Sequence, residues 1–137
     1  MDVLSNLDGK GSTAFLEKGA LNFIVDGGGA AIATGVKGDV EFPFPCTITG
    51  YDMLADQSGS IVLNLWKQVY SSFPPTVTQK ITASAPPTIS SATKAQDNTL
   101  TGWTTSISAG DILRFNVDSA STIQRVTLVL RFTRTGA

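Results

Sequence analysis

The chain has 137 residues, with ten basic and eleven acidic side chains for a net charge of -1, one cysteine and no histidine. A chain of this length fits one domain that hides roughly two-thirds of its unfolded surface and needs no metal or disulfide staple. Near-neutral charge excludes an overall electrostatic trap for nucleic acid or anionic membrane. The absence of histidine removes the commonest general base, the usual activator of Ser or Cys and the commonest metal ligand.

Residues 1–19 form an N-terminal arm in this reading, and residues 20–137 the folded domain. The arm mixes glycine, serine and charge with Val3, Leu4, Leu7, Phe15 and Leu16, spaced at neither strand nor helix period. No cationic start leads into an apolar block, and no run of about 18 apolar residues occurs, which predicts a soluble chain made in the cytoplasm.

From Ala20 the pattern turns to period two. "ALNFIVD" sets Leu21, Phe23 and Val25 on one face, a glycine loop follows, and "DVEFPF" aligns Val40, Phe42 and Phe44. Pro43 and Pro45 mark a sheet edge or a bend. "CTITGYDMLA" predicts a strand and "DQSG" a turn. "SIVLNLWKQVY" then predicts a second strand, with Ile61, Leu63 and Leu65 facing the core and Val62, Asn64 and Trp66 opposite. On that opposite face Trp66 is either covered by a loop or exposed for contact.

The stretch from Ser71 to Trp103 has two Pro-Pro pairs and many Ser and Thr residues. It predicts long connections with short strands at "TQKITAS" and "NTLTGWT", anchored by Ile81, Ile89, Leu100 and Trp103. The last third predicts a β-hairpin. "GDILRFNVD" turns Leu113, Phe115 and Val117 inward, and "SAST" reverses the chain. "IQRVTLVLRFTR" then sends Val126, Leu128, Leu130 and Phe132 inward, with Arg125, Thr127, Val129 and Arg131 outward. Arg114, Arg125, Arg131 and Arg134, taken as outward, make this hairpin locally basic, either a solvated face or a surface for an acidic partner. About eight antiparallel strands without a helix predict an all-β, two-sheet β-sandwich of jelly-roll type.

The candidate chemistry is thin. Cys46 sits in "FPFPCTITG" among apolar neighbours, the setting of a buried inert thiol. Carboxylate pairs would serve a glycosidase, but the two glutamates, Glu17 and Glu41, lie far apart in sequence, and Asp26, Asp39, Asp56, Asp111 and Asp118 read as turn formers. "NLDGKGSTAFLE" has the offsets of a calcium loop in Asn6, Asp8, Lys10, Gly11 and Glu17, but a lysine stands at a ligand position and no helices flank it. "DGGGAA" would cradle a phosphate only if a helix followed, and strand signals follow instead. No cofactor, metal or catalytic residue is expected, and the chain is not expected to be an enzyme.

The run "GVKGDVEFPFPCTITGYDMLADQSGSIVLNLWK", with the later "FPPT" connection and the "LTGW…AGD" segment, resembles a module of virion proteins of tailed bacteriophages. The resemblance covers about residues 20 to 134. It implies a jelly-roll structural protein, most like a capsid cement or decoration protein clamped on the outer shell; a tail-fibre or receptor-binding tip is the alternative. The implied partner is the major capsid protein, with self-association as a dimer or trimer, without nucleic acid or membrane, at the capsid surface of the virion after synthesis in the host cytoplasm. The expected contact residues are Leu4, Leu7, Phe15 and Leu16 of the arm and Arg125, Arg131 and Arg134 of the last strand. A receptor tip would need an aromatic platform, for which Trp66, Trp103, Tyr51 and Tyr70 are the candidates.

Overall fold

A computed structural model describes residues 17–136. The expected arm contacts Leu4, Leu7, Phe15 and Leu16 lie outside the described residues, as does most of the calcium-loop stretch. The described chain is all-β. Its strands are β1 (Lys18–Asp26), β2 (Gly35–Glu41), β3 (Cys46–Gln68), β4 (Thr88–Asp97), β5 (Ser106–Ile107), β6 (Ile112–Ser121) and β7 (Arg125–Arg134). Two single-turn 3-10 helices, Tyr70–Ser72 and Val77–Gln79, lie in the connection after β3. The seven strands form one curled antiparallel sheet, with the path β1-β7-β3-β6-β2 and with β4 and β5 on β3 as well.

β3 is the axis of the molecule and is one strand of 23 residues where two strands and a turn were expected. "DQSG" does not reverse the chain; it bends it. Asp and Ser beside Gly signal a break in regular pairing, and a bend or bulge uses the same residues as a turn. Along one side of β3, Cys46–Ala55 pairs with β7 and Ser60–Gln68 pairs with β6. The expected β6–β7 hairpin is therefore wrong: the two strands run end to end beside β3, and "SAST" lies mostly inside β6, with Ser121 opposite Ser60. Alternation specifies which face a residue takes, not which strand lies next to it.

Three residues fix the bend. The Asp56 carboxylate accepts the backbone N–H groups of Gln124 and Arg125, both at 3.0 Å, which pins the β6–β7 junction to β3. Gly59 lies against that junction, where a Cβ would come within 2.6 Å of the Ser121 carbonyl oxygen. Ile123, between the two strands, is fully buried. β4 follows β3 through the same bend on its other side, pairing Tyr51–Leu54 with Asp97–Lys94 and Ile61–Val62 with Ile89–Thr88.

The curl closes the inward faces over one core. Met53, Ile61, Leu63, Leu65, Leu113, Phe115, Val126 and Leu128 are all fully buried in a single cluster. Phe23 of β1 stacks on Phe115 of β6 with centroids 4.0 Å apart, although the two strands share no ladder. The inward sets expected for β1, β3, β6 and β7 hold, and Ile81, Ile89, Leu100 and Trp103 are buried anchors. Cys46 is buried, and burial, followed by the nearby Asp111 charge, pushes its thiol pKa up, away from nucleophilic use.

The middle of the chain departs most from expectation. "TQKITAS" runs from the 3-10 helix Val77–Gln79 through Lys80 into a turn, "NTLTGWT" forms bends and a turn, and the strand is "TISSATKAQD", β4. That strand turns only Ile89 fully into the core, with Ala92 and Ala95 partly buried beside it, so its hydrophobic alternation is too faint to read. Asp39 and Asp118, expected in turns, are in β2 and β6. Asp39 pairs with Arg114, and Asp118 accepts from Asn64 at 2.9 Å and Asn116 at 2.7 Å, so in both cases a cross-strand partner took the carboxylate that a turn would have used.

Candidate docking face

The outward residues of β1, β7, the first half of β3 and the second half of β4 lie in register. One rung reads Ile24–Thr127–Leu54–Lys94 across the four strands, and the next reads Asn22–Val129–Asp52–Gln96. Ile24 is 59% exposed and Leu54 51%, with half-buried Val129 on the neighbouring rung. β-branched and leucine side chains suit a pleated face, but here that face points to solvent, away from the core that Val25, Met53 and Leu128 fill.

Polar groups frame this apolar row. Arg131 Nη1 pairs with Asp52 Oδ1 at 2.8 Å, Gln96 donates to the same oxygen at 2.7 Å, and Arg131 also donates to Asn98. The Arg131 hydrogen bond, then that of Gln96, holds the Asp52 carboxyl below its ordinary pKa. On the other flank Arg125 stands opposite Asp26 at the start of β7, beside Asp56. Arg125 is exposed and forms no ion pair among the described residues.

Of the three expected contact arginines, Arg125 and Arg131 share this face and Arg134 does not. Arg134 has the parity of Val126, Leu128 and Leu130, so it points inward at the strand's end. Its guanidinium lies 4.6 Å above the Phe44 ring, donates to the Gly136 carbonyl at 2.8 Å and reaches Glu17 at 3.4 Å. The expected basic patch is likewise not one surface. Arg114 lies outward on β6, in the other half of the curl, and pairs with Asp39 through two hydrogen bonds of 2.7 and 3.0 Å.

Of the four candidates for an aromatic platform, only Tyr70, in the turn after β3, is exposed. Tyr51 and Trp103 stack on each other in the buried interior, 5.8 Å apart, with Trp103 Nε1 donating to the Ala85 carbonyl. Trp66 is half-buried. The connection after β3 runs along its edge: Lys80 bridges to Trp66, Ile81 N donates to Leu65 O at 2.9 Å, and Thr82 donates to Asn64. The indole N–H of Trp66 is buried without a hydrogen bond among the described residues. Sequence reasoning did not single out Ile24 and Leu54: Ile24 has the outward parity opposite Phe23 and Val25, but only the strand order brings it to the rung of Leu54. It also missed Phe73, which only the fold brings beside Arg114.

No cluster of three or more His, Cys, Asp or Glu side chains suited to a metal occurs among the described residues, and no described helix is long and apolar enough to cross a membrane. A scan against protein-family models finds no match for this chain, and a search of curated proteins finds no similar one.

Proposed function

We propose that the protein is a non-enzymatic virion structural protein of a tailed bacteriophage: a cement or decoration protein that seats the β1–β7–β3–β4 face on the major capsid protein and reinforces the shell. The observation that carries this is the exposed Ile24 and Leu54 on one rung, with half-buried Val129 on the next, set among Thr127 and Asn22 and beside the Arg131–Asp52 ion pair. A protein interface mixes exposed apolar side chains with polar ones that satisfy each other, and exposed apolar groups grouped on one face mark such surfaces.

The size of the face also fits. Three strands about 4.8 Å apart and about nine residues long, with a β4 segment of about four, cover roughly 500 Å², less than the roughly 800 Å² per partner of a standard interface. The proposal also gives Val3, Leu4, Leu7, Phe15 and Leu16 of the arm the role of supplying further apolar area. Self-association on the shell as a dimer or trimer would add more. In this reading the partner is protein, not nucleic acid or membrane, and the protein resides on the capsid surface after synthesis in the host cytoplasm.

The same proposal takes the fold as a two-sheet jelly roll. Its support is the order of pairing. β1, β7, the first half of β3 and the second half of β4 are neighbours in one half, and β2, β6, the second half of β3 and the first half of β4 in the other. The chain crosses between halves six times: between β1 and β2, between β2 and β3, inside β3, inside β4, between β4 and β6, and between β6 and β7. That gives eight strand segments wound as a folded ribbon, the winding of a jelly roll.

The test is co-sedimentation with phage shells that lack the protein, using wild type and the double variant Ile24→Asp/Leu54→Asp. Wild type is expected to pellet with shells. The variant is expected to stay in solution while its stability changes by no more than about 0.5 kcal/mol per site, as for surface substitutions. Equal pelleting of both proteins, or of neither, contradicts the proposal.

A further inference from the structure

The other half of the curl presents a different surface. A shallow cleft of about 270 Å³ is lined by Asp39 and Glu41 of β2, Ile112 of β6, and Tyr70 and Phe73 of the turn after β3. Tyr70 is 80% exposed and Phe73 41%. Two rings left this open on a soluble domain are unusual for residues whose burial is worth so much. The backbone that carries them is hydrogen-bonded, and one of the rings has a packing partner. Ser72 N donates to Val69 O at 3.0 Å and Phe73 N to Tyr70 O at 3.1 Å, while the Phe73 ring packs on the Arg114 guanidinium, 4.9 Å from its centroid.

We propose that this cleft binds a ring of a neutral saccharide, stacked on Tyr70 and Phe73 with its hydroxyls donating to Asp39 and Glu41. A pyranose has an apolar C–H face and a rim of hydroxyl donors, and the cleft offers the complement of both. Arg114 binds Asp39 through both oxygens, which orients the carboxylate and neutralises its charge while leaving lone pairs free toward the cleft. Asp39 is thus held in place at the cleft, as the polar groups of a small-ligand site are. Its volume suits one or two sugar rings, below the roughly 300–1,000 Å³ of drug-sized ligand sites.

The chemistry favours this occupant over others. Asp39 and Glu41 at the cleft floor oppose a second protein, because interface centres are depleted of acidic residues. With Arg114 already engaged and Glu41 exposed, an anionic sugar or phosphate would meet net negative charge. Two carboxylates two residues apart on a strand also raise the question of glycoside cleavage. Glycoside cleavage needs two carboxyls flanking the scissile bond, whereas Asp39 and Glu41 project from the same face of one strand and Arg114 engages both Asp39 oxygens, so the cleft is arranged to hold a sugar and not to cut it.

This site is independent of the docking face, and the experiment separates the two. Wild type, Tyr70→Ala, Tyr70→Phe and Asp39→Asn are applied to immobilised neutral hexose oligosaccharides and their sialylated counterparts, and positives are titrated in solution. Wild type is expected to bind at least one neutral glycan with a dissociation constant of about 1 mM or tighter. Tyr70→Ala is expected to weaken it at least about tenfold, with Tyr70→Phe close to wild type because the stacking face survives. Because Tyr70 is solvent-exposed, Tyr70→Ala should pellet with shells as wild type does. Absence of neutral-glycan binding, preference for sialylated glycans, or affinity unchanged in both Tyr70→Ala and Asp39→Asn would overturn the proposal.

Discussion

Phe115 and Leu128 are both fully buried, on strands that meet different halves of β3. Phe115→Ala and Leu128→Ala are each expected to cost about 2–5 kcal/mol, the usual toll of a large-to-small change in a core that collapses only partly. Chemical denaturation of each variant measures it, and a loss under about 0.5 kcal/mol would put the residue on the surface. Trp66 should behave differently. Its buried indole N–H has no partner among the described residues, so Trp66→Phe deletes an unmet donor along with some contact area. Its stability is expected to stay within about 1 kcal/mol of wild type, and a loss above about 3 kcal/mol would show that the N–H is bonded after all.

At the scale of elements, the bend decides the fold, and two of its fixing residues are testable. Gly59→Ala would force a Cβ against the Ser121 carbonyl and the Ile123 side chain, and is expected to cost about 1–3 kcal/mol as overpacking does. Asp56 adds a pH signature. The backbone N–H of Arg125 most of all, then that of Gln124, holds its carboxyl below the ordinary value of 3.8. The unfolded chain therefore takes up this proton first as pH falls. The contribution is complete above the ordinary value and drains away as pH drops through the lower folded one. Melting curves between about pH 6 and about pH 3 should show Asp56→Asn, which keeps the acceptor but not the titration, losing less stability on acidification than wild type. An equal loss would remove Asp56 from the bend. With no histidine in the chain, no side chain of ordinary pKa titrates between about pH 5 and 8, and stability there should be flat. How much of these elements the sequence reveals follows from the same physics. Strong alternation gave β1, β6, β7 and both halves of β3 to within a few residues. The bend looked like a turn, and the edge strand β4, with Ile89 as its one large fully buried residue, looked like a connection.

At the scale of the whole molecule, the curl gives two outer surfaces with a common core between them, and the proposed functions divide between the two. The docking face was only partly legible in sequence. Arg125 and Arg131 could be placed outward from parity, but Ile24 and Leu54 meet through Thr127 only once β1 and β3 are known to flank β7. The cleft was less legible still, since Tyr70 and Phe73 lie about thirty residues from Asp39 and Glu41 and become neighbours through the pairing of β2 with β6 and of β6 with β3. The central claim is that the β1–β7–β3–β4 face seats on a capsid shell. The most direct measurement is hydroxyl-radical footprinting of the protein free and bound to phage shells. The account predicts that oxidation of Ile24, Leu54 and Val129 falls several-fold on binding while that of Tyr70 and Phe73 is unchanged; protection of Tyr70 and Phe73 with Ile24 and Leu54 still fully reactive would contradict it.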